Sequence, residues 1–337
     1  MQTYEALKKR VTEKITLPEV DKNKLMRIVR GLWSGYRLIT LFSISMILLF
    51  PIIYIVSMSL RPAGQVSDPM VIWIPRSFTL KNIVDTIGVM NYLPAVLNTL
   101  RISLLSSVLT IFSCSIAGYG FARFKFRLRQ PLFMLVLLML IVPPQNILIS
   151  AFLYYKNFDF FGLGSLVGLF TGKALTINLI GNEFSMYLPA LFGNGIRAGL
   201  YILIFNKFFS NLPRELEDAA YIDGCGVYKT YFKVMLPNSL SALLTVFLFS
   251  MVWYWNDYFH TSVFMQNATT LSIQLTRLKF LLNEALNPLG KGVFVDVSEI
   301  TVRLQAGCLL TILPLIVFYI FVQRNFTEGI ERTGIVG

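Results

Sequence analysis

A polar segment at residues 210–237 combines acidic, small and proline residues in an order that predicts where helices begin and end. Pro213 fits the first position of a helix, where its missing N–H leaves no bond unmade. Glu217 and Asp218 would follow near the positive end of the helix dipole. Gly224 stands where a left-handed residue would end the helix. The segment therefore predicts a short helix, a tight turn and a second helical stretch that leads to a proline.

The sequence contains few of the residues that catalytic or metal-binding sites use. His260 is the single histidine, and the cysteines Cys114, Cys225 and Cys308 are widely spaced. The sequence holds no phosphate-binding loop of the form G-x-x-x-x-G-K-[ST]. We therefore predict no catalytic residue, no metal site and no cofactor bound by this chain.

The composition indicates a membrane protein. Of the 337 residues, 55% are hydrophobic and 14% are charged, whereas a soluble domain carries about a quarter charged residues. The mean hydropathy is +0.63. Long apolar windows alternate with short basic loops, which is the pattern of a chain whose solvent is lipid.

A helix needs about 20 apolar residues to cross a bilayer. Six windows predict such helices, at residues 38–60, 99–121, 131–153, 186–205, 240–259 and 304–322. The fourth window is the weakest, because Pro189, Asn194 and Arg197 interrupt it. We interpret the patchy segment 162–180 as a re-entrant or surface part of an outer loop. The predicted fold is all-α, a polytopic membrane protein with six transmembrane helices.

Basic residues predict the orientation of these helices. With the amino terminus inside, the cytoplasmic pieces hold about twice as many Lys and Arg residues as the outer pieces. Both termini are then cytoplasmic, and the net charge of +12 needs no nucleic-acid partner. The predicted division is a cytoplasmic basic tail 1–37, a transmembrane domain 38–322 with its core at about 95–322, and a cytoplasmic tail 323–337.

The polar segment also resembles the signature of the permease subunits of bacterial binding-protein-dependent ABC importers. That signature is Glu-Ala-Ala, three residues, Gly, nine residues, then Ile-x-Leu-Pro. Here it stands as Asp218-Ala219-Ala220, then Gly224, then Val234-Met235-Leu236-Pro237, with every spacing kept. Asp replaces Glu at position 218, and Val replaces Ile at position 234.

Further motifs resemble the carbohydrate branch of these permeases, which includes the maltose permease. They are Ala117-Gly118-Tyr119-Gly120-Phe121-Ala122-Arg123-Phe124, Pro143-Pro144-Gln145, Trp255-Asn256-Asp257 and the carboxyl tail from Gln323 to Gly337. An extra outer-loop segment at 162–183 departs from the shorter members, and its role stays open.

The resemblance implies that loop 210–237, between spans 4 and 5, carries a coupling helix that seats in a partner ATPase. The residues assigned to coupling are Glu217, Asp218, Ala219, Ala220, Asp223, Gly224, Leu236 and Pro237. The implied partners are a second homologous permease subunit, two copies of a cytoplasmic ABC ATPase that hold ATP and Mg, and an extracellular substrate-binding lipoprotein. The chain would then be a multi-pass transport subunit of the bacterial cytoplasmic membrane, without enzyme activity, that imports a carbohydrate, with an oligosaccharide as the expected substrate.

Polar residues inside spans usually face a cavity or a partner. The candidates for the substrate pathway are Asn98, Gln145, Arg197, Trp255, Asn256 and Asp257. Arg197 precedes Lys207 by ten residues, about 15 Å along a helix, which is near mid-bilayer if the fourth span begins at residue 186. Alternatively that span begins later and Arg197 reaches outward.

The aromatic residues of the fifth span have a second interpretation. Trp253, Tyr254, Trp255 and Tyr258 also fit an aromatic belt at the membrane interface.

Three alternative functions remain. An ion-driven secondary transporter would need proton relays within its spans and inverted internal repeats. Asp257 is the single candidate for such a relay in the sequence, and the two halves show no repeat. A membrane-embedded enzyme would need acids or metal ligands clustered at one interface. An ABC permease for another solute class would lack the carbohydrate-branch motifs.

Overall fold

The computed structural model describes residues 22–287 and 296–334. Residues 1–21 of the predicted basic tail and residues 335–337 of the predicted carboxyl tail lie outside the described residues. The described chain is helical, apart from turns and one isolated antiparallel bridge between Phe158 and Ile177. It divides into two compact units, Met1–Ser57 and Met58–Gly337. An all-α fold is thereby confirmed for these residues.

The described residues of the first unit all belong to helix α1, which runs from Lys22 to Ser59 and carries Pro51 in its interior. Its part Arg30–Ser59 is long and apolar enough to cross a membrane, with a mean hydropathy of 2.5. The helix begins earlier than the first apolar window, so residues 22–37 of the predicted tail are helical.

The second unit contains the remaining helices. In chain order they are α2 (Lys81–Val89), α3 (Tyr92–Arg123), α4 (Arg129–Ile141), α5 (Pro144–Lys156), α6 (Leu163–Thr171), α7 (Phe184–Leu191), α8 (Ala198–Asn211), α9 (Glu215–Ile222), α10 (Val227–Asn238), α11 (Leu240–Trp255), α12 (Phe259–Phe264), α13 (Leu271–Leu286) and α14 (Val297–Gly334).

Helix α3 is the centre of this unit. It packs most extensively against α8, and then against α11 and α7. Gly118 permits the close approach to α8, since a Cβ atom there would lie 2.4 Å from the Cβ of Phe205. Small residues at helix interfaces let backbones approach in this way. The closer contact increases van der Waals attraction, which matters in lipid because the hydrophobic effect does not drive helices together there.

Three apolar clusters fill the space between the helices. The first joins α3, α8, α10 and α11 around Tyr201, Phe205, Phe209 and Met235, all of them fully buried. The second joins α2, α11, α13 and α14 around Met90 and Leu278. The third joins α3, α7 and α11. The first cluster includes Tyr231 and Met235 of the predicted coupling segment, so it packs that segment against α3 and α8.

By length and composition, three helical stretches among the described residues can each cross a membrane: Arg30–Ser59, Tyr92–Arg123 and Val297–Gln323. Two bent pairs qualify when each pair is taken together, α4 with α5 at 107° and α10 with α11 at 77°. The described residues thus offer three spans, or five if each bent pair is one span.

The third window, 131–153, is not the continuous span that was predicted. Helix α4 ends at Ile141 and α5 begins at Pro144, with a bend of 107° between them. The cause is the pair Pro143–Pro144, which removes backbone donors and holds Val142 in an extended conformation at ψ 118°.

The fourth window, 186–205, is likewise wrong as a single helix. It contains the end of α7 and the first part of α8, separated by a turn at residues 192–197. Gly193 (φ +70°) and Arg197 (φ +60°) are left-handed in that turn, which no α-helix can continue through.

The segment predicted as an outer loop, 162–183, contains α6 and Ile177, which forms the bridge to Phe158. The Ser165 hydroxyl and the Gly162 amide donate hydrogen bonds to Asp159, and they hold the pKa of that carboxyl below its usual value. Phe170 of α6 is 90% exposed, which makes this segment a surface element of its unit.

Candidate functional site

The predicted coupling segment forms helix α9, a turn and helix α10. Helix α9 begins at Glu215, two residues after the predicted start at Pro213, and three acids occupy its first turn. Gly224 adopts φ +75°, as the sequence predicted for a left-handed terminator. The Cys225 amide then donates to the Ala220 carbonyl at 2.9 Å, the long bond that closes a glycine-terminated helix.

Helix α9 has two distinct faces. Glu217 and Ala220 are buried, at 8% and 5% exposure, against the rest of the unit. Asp218 and Ala219 are exposed on the opposite face, as are Asp223 and Gly224 beyond it. Ile222 is 86% exposed, an unusual position for a large apolar side chain. The residues assigned to coupling therefore divide into an inward set and an outward set.

The carboxylate of Glu217 points into the protein and joins α9 to the end of α3. The Tyr119 hydroxyl donates to its Oε1 at 2.7 Å. The Nε of Arg123 lies 3.4 Å from its Oε2, and the two side chains are only 6% and 11% exposed. Arg123 also donates through Nη2 to the Leu212 carbonyl at 2.7 Å, at the start of the coupling segment.

Tyr119 also contacts the helices on either side of α9. Its ring lies 5.1 Å from that of Tyr231 in α10 and 5.4 Å from that of Phe209 in α8. The hydroxyls of Ser115 and Tyr231 lie 2.7 Å apart. We call Ser115, Tyr119, Arg123, Glu217 and Tyr231 the anchor cluster, because together they fix α9 and α10 to α3.

The second half of the segment bends into α11. Residues Tyr231–Met235 form a turn of π-helix inside α10, a feature that recurs at functional sites. Leu236 is half-buried and packs against the first apolar cluster, whereas Pro237 is exposed. A bend of 77° follows between α10 and α11, so α10 leads directly into the next span candidate.

Sequence reasoning missed the anchor cluster. Tyr119 and Arg123 were noticed only as part of a family motif, and Tyr231 was not singled out. One signal was available, namely an arginine and a tyrosine one helical turn apart at the end of a span. Nothing in the sequence pairs them with an acid 94 residues from Arg123, since that contact depends on how α3 and α8 pack.

Arg197 lies outside a helix, because α8 begins only at Ala198; a start at residue 186 is wrong, and the later start of the second interpretation is observed. It is an exposed, left-handed residue immediately before α8. Its guanidinium stacks over the Trp253 ring at 4.3 Å from the centroid, a cation–π contact to the end of α11. The neighbouring Ile196 amide donates to the Tyr254 hydroxyl at 3.2 Å. The break between α7 and α8 is therefore held against α11.

The other pathway candidates have different surroundings. The indole N–H of Trp255, which is buried, donates to the Thr311 carbonyl at 3.2 Å. Asn98 donates to the Thr269 hydroxyl at 2.9 Å. Asn256 and Gln145 are exposed.

Asp257 supports local structure. Its Oδ2 accepts hydrogen bonds from the amide and the hydroxyl of Thr261, both at 2.8 Å, at the start of α12. Its Oδ1 lies 2.8 Å from Nδ1 of His260.

The four aromatic residues of the predicted belt divide evenly, since Trp253 and Tyr258 are exposed while Tyr254 and Trp255 are buried.

Among the residues that the structure describes, no group of three or more His, Cys, Asp and Glu side chains is placed to hold a metal ion.

Comparison with known proteins identifies the family. The model of the binding-protein-dependent transport system inner membrane component matches residues 111–332, which include the anchor cluster and the whole coupling segment.

Individual relatives match over nearly their full length. The arabinooligosaccharides transport system permease protein AraQ of Bacillus subtilis is 27% identical over 90% of this chain and 98% of its own. The osmoprotective compounds uptake permease protein GgtD of Synechocystis is 29% identical over 87% of this chain and 89% of its own.

A solved structure shares the fold. It is that of a bacterial ABC transporter involved in the import of the acidic polysaccharide alginate, with a TM-score of 0.64 and 21% identity over 92% of this chain. The resemblance inferred from the residues is thereby confirmed. This chain belongs to the binding-protein-dependent transport system inner membrane components, the non-catalytic permease subunits of ABC importers.

Proposed function

We propose that this chain is one of two permease subunits of an importer for a carbohydrate, with an oligosaccharide as its substrate. In this proposal it crosses the bacterial cytoplasmic membrane six times, with both termini inside, and α9 is the coupling helix. Two copies of a cytoplasmic ATPase hold ATP and Mg, a second permease completes the path, and an external lipoprotein delivers the sugar.

The names of relatives and the motifs support the carbohydrate assignment. AraQ is named for arabinooligosaccharides, and the structural relative imports alginate. GgtD is named for osmoprotective compounds, which keeps a permease for another solute class as the second candidate. The sequence motifs of the carbohydrate branch favour the first.

The observation that carries the coupling role is the two-faced geometry of α9. Its inward face is tied to α3 by Glu217, so a displacement of α9 also displaces the end of that helix. Its outward face exposes Asp218, Ala219 and Ile222 to a partner. A short helix that is fixed on one side and free on the other transmits a rigid-body motion, which drives hinge or rocking transitions.

Two assigned residues therefore act within the chain. Glu217 and Ala220 position α9, and the ATPase touches Asp218, Ala219 and the exposed residues around the turn. For the pathway, we propose that Arg197 and Asn256 face the solute, because both are exposed at the ends of α8 and α11. Trp255 and Asp257 maintain the architecture instead, since their polar atoms are bonded internally.

Charge reversal on the outward face tests this function. Asp218→Arg should lower ATPase co-purification by about 30-fold, because one interface residue of this kind contributes about 2 kcal/mol of binding. Uptake of sugar into proteoliposomes should fall with it. The matched control is Glu284→Arg, which reverses an exposed acid on α13.

The two variants distinguish the alternatives. Unchanged ATPase binding by Asp218→Arg, or equal losses in both variants, would reject α9 as the contact. Solute uptake by the chain without ATP would favour the ion-driven transporter.

A further inference from the structure

An open cavity of about 480 Å³ lies where α3 ends and α4 begins. Lys125, Arg127 and Arg129 contribute its positive charge, and Phe121, Phe126 and Phe133 contribute its aromatic lining. It has no part in the anchor cluster or in the proposed sugar path.

Among the described residues, none of the three cations of this cavity has an acidic partner. No ion pair joins Lys125, Arg127 or Arg129 to an acid within residues 22–287 and 296–334. Their neighbour Arg123 differs, since it is paired with Glu217. Three unpaired cations around a concave surface attract an anion, and the arginine fork matches phosphate oxygens.

The apolar surroundings favour a lipid as the source of that anion. Phe121 packs against Phe126 at 6.0 Å and against Phe133 at 5.4 Å between ring centroids, which gives the cavity an aromatic floor. From the cavity, helix α4 continues with exposed apolar side chains, including Leu132 at 42% and Leu135 at 57% exposure. A soluble phosphate ion gains no binding energy from an exposed apolar surface, whereas the acyl chains of a lipid pack against it.

We propose that this cavity binds the phosphate headgroup of an anionic phospholipid, whose acyl chains lie along α4. Lys125, Arg127 and Arg129 hold the phosphate at the membrane surface. The polar side chains of Gln130 and Asn206 line the same cavity and can bond the rest of the headgroup. This site is independent of the coupling role of α9.

The test uses the full-length chain in mild detergent, titrated with phosphatidylglycerol or phosphatidylcholine and observed by native mass spectrometry. The wild type should retain phosphatidylglycerol preferentially. Arg127→Gln with Arg129→Gln should weaken that retention by about 30-fold, because each cation near a charged lipid surface contributes about fivefold. Arg127→Lys with Arg129→Lys keeps the charge and should preserve the preference.

A matched control removes the same charge elsewhere in the same region of the chain. Lys207→Gln with Arg214→Gln alters two exposed cations that do not line the cavity, and it should leave lipid retention within about twofold. Equal losses in both double variants would overturn the proposal in favour of a diffuse basic surface.

Two further arms separate the other occupants. Displacement of the lipid by inorganic phosphate at millimolar concentration would show a soluble-anion site and overturn the proposal. Complete displacement on assembly with the ATPase would show that the cavity is a protein interface, with the same consequence. Retention of phosphatidylglycerol in both arms supports the lipid site.

Discussion

At the scale of single residues, the buried carboxylate of Glu217 explains why a polar loop has a fixed position. An unpaired charge in a water-poor site is strongly unfavourable, so Glu217 and Arg123 stabilise each other, and the Tyr119 hydroxyl completes the arrangement. The cluster thus links α9, the proposed coupling helix, to α3 at the centre of the unit.

Glu217→Gln should uncouple transport from ATP hydrolysis. The substitution keeps the shape and the acceptor for Tyr119 but leaves the Arg123 charge buried and unpaired, which costs about 3 kcal/mol. Proteoliposomes should hydrolyse ATP while uptake falls at least about tenfold, because even half of that free energy, about 1.4 kcal/mol, corresponds to a factor of ten. Glu215→Gln, at an exposed acid on the same helix, is the control and should retain coupling. Equal coupling in both variants would contradict the anchor role.

Gly224 offers a second comparison at this scale. Its φ of +75° disfavours any Cβ, although the space around it is open. Gly224→Ala should therefore lower stability by about 1 kcal/mol through backbone strain alone. Gly226→Ala, at φ −75° and equally open, should be neutral. The thermal unfolding midpoint of each variant in detergent measures this, and identical midpoints would rule out a strained turn.

At the scale of elements, the contact between α3 and α8 determines where the anchor cluster can form. Gly118→Ala places a methyl group 2.4 Å from the Phe205 Cβ. Both atoms are bonded directly to the backbone, so no side-chain rotation can relieve the clash. Overpacking of this kind costs about 1–3 kcal/mol. Gly120→Ala meets nothing within 4 Å on the same helix and is the control.

The Gly118 variant should show a lower unfolding midpoint and reduced uptake, while the Gly120 variant keeps both. If Gly118→Ala matched Gly120→Ala in midpoint and uptake, the close packing of α3 on α8 would be refuted.

Hydropathy predicted which parts of the chain are helical and apolar, but not where the helices break. The windows at 131–153 and 186–205 are apolar on average despite their polar and proline residues, so a window average cannot report the bend at Pro143 or the left-handed turn at Arg197. The local signals were sufficient to predict helix α9, because its acids, its preceding proline and Gly224 affect only the backbone within a few residues of their own positions.

Burial of Glu217 could not be predicted in the same way. An acid in a polar loop is usually solvated, and its partners Tyr119 and Arg123 are about 100 residues away in sequence. The contact depends on the packing of α3, α8 and α10 around their aromatic residues.

At the scale of the whole molecule, the family assignment and the geometry of α9 support one account. A non-catalytic permease subunit of an ABC importer is expected to receive motion from a partner, and in the proposed account the exposed face of α9 makes that contact. Since Ile222 is 86% exposed, it also gives a reporter position that can be changed without disturbing the core.

The most direct measurement is the side of the membrane on which α9 lies. Ile222→Cys, in a chain with Cys225 and Cys308 replaced by Ser, is treated with a membrane-impermeant maleimide in intact cells and in inverted vesicles. Phe170→Cys, 90% exposed in the predicted outer segment, is the control for the opposite side.

The account predicts that position 222 reacts only in inverted vesicles and is protected when the ATPase is bound, while position 170 reacts in intact cells. Reaction of position 222 in intact cells would place α9 outside and contradict its role as the coupling helix.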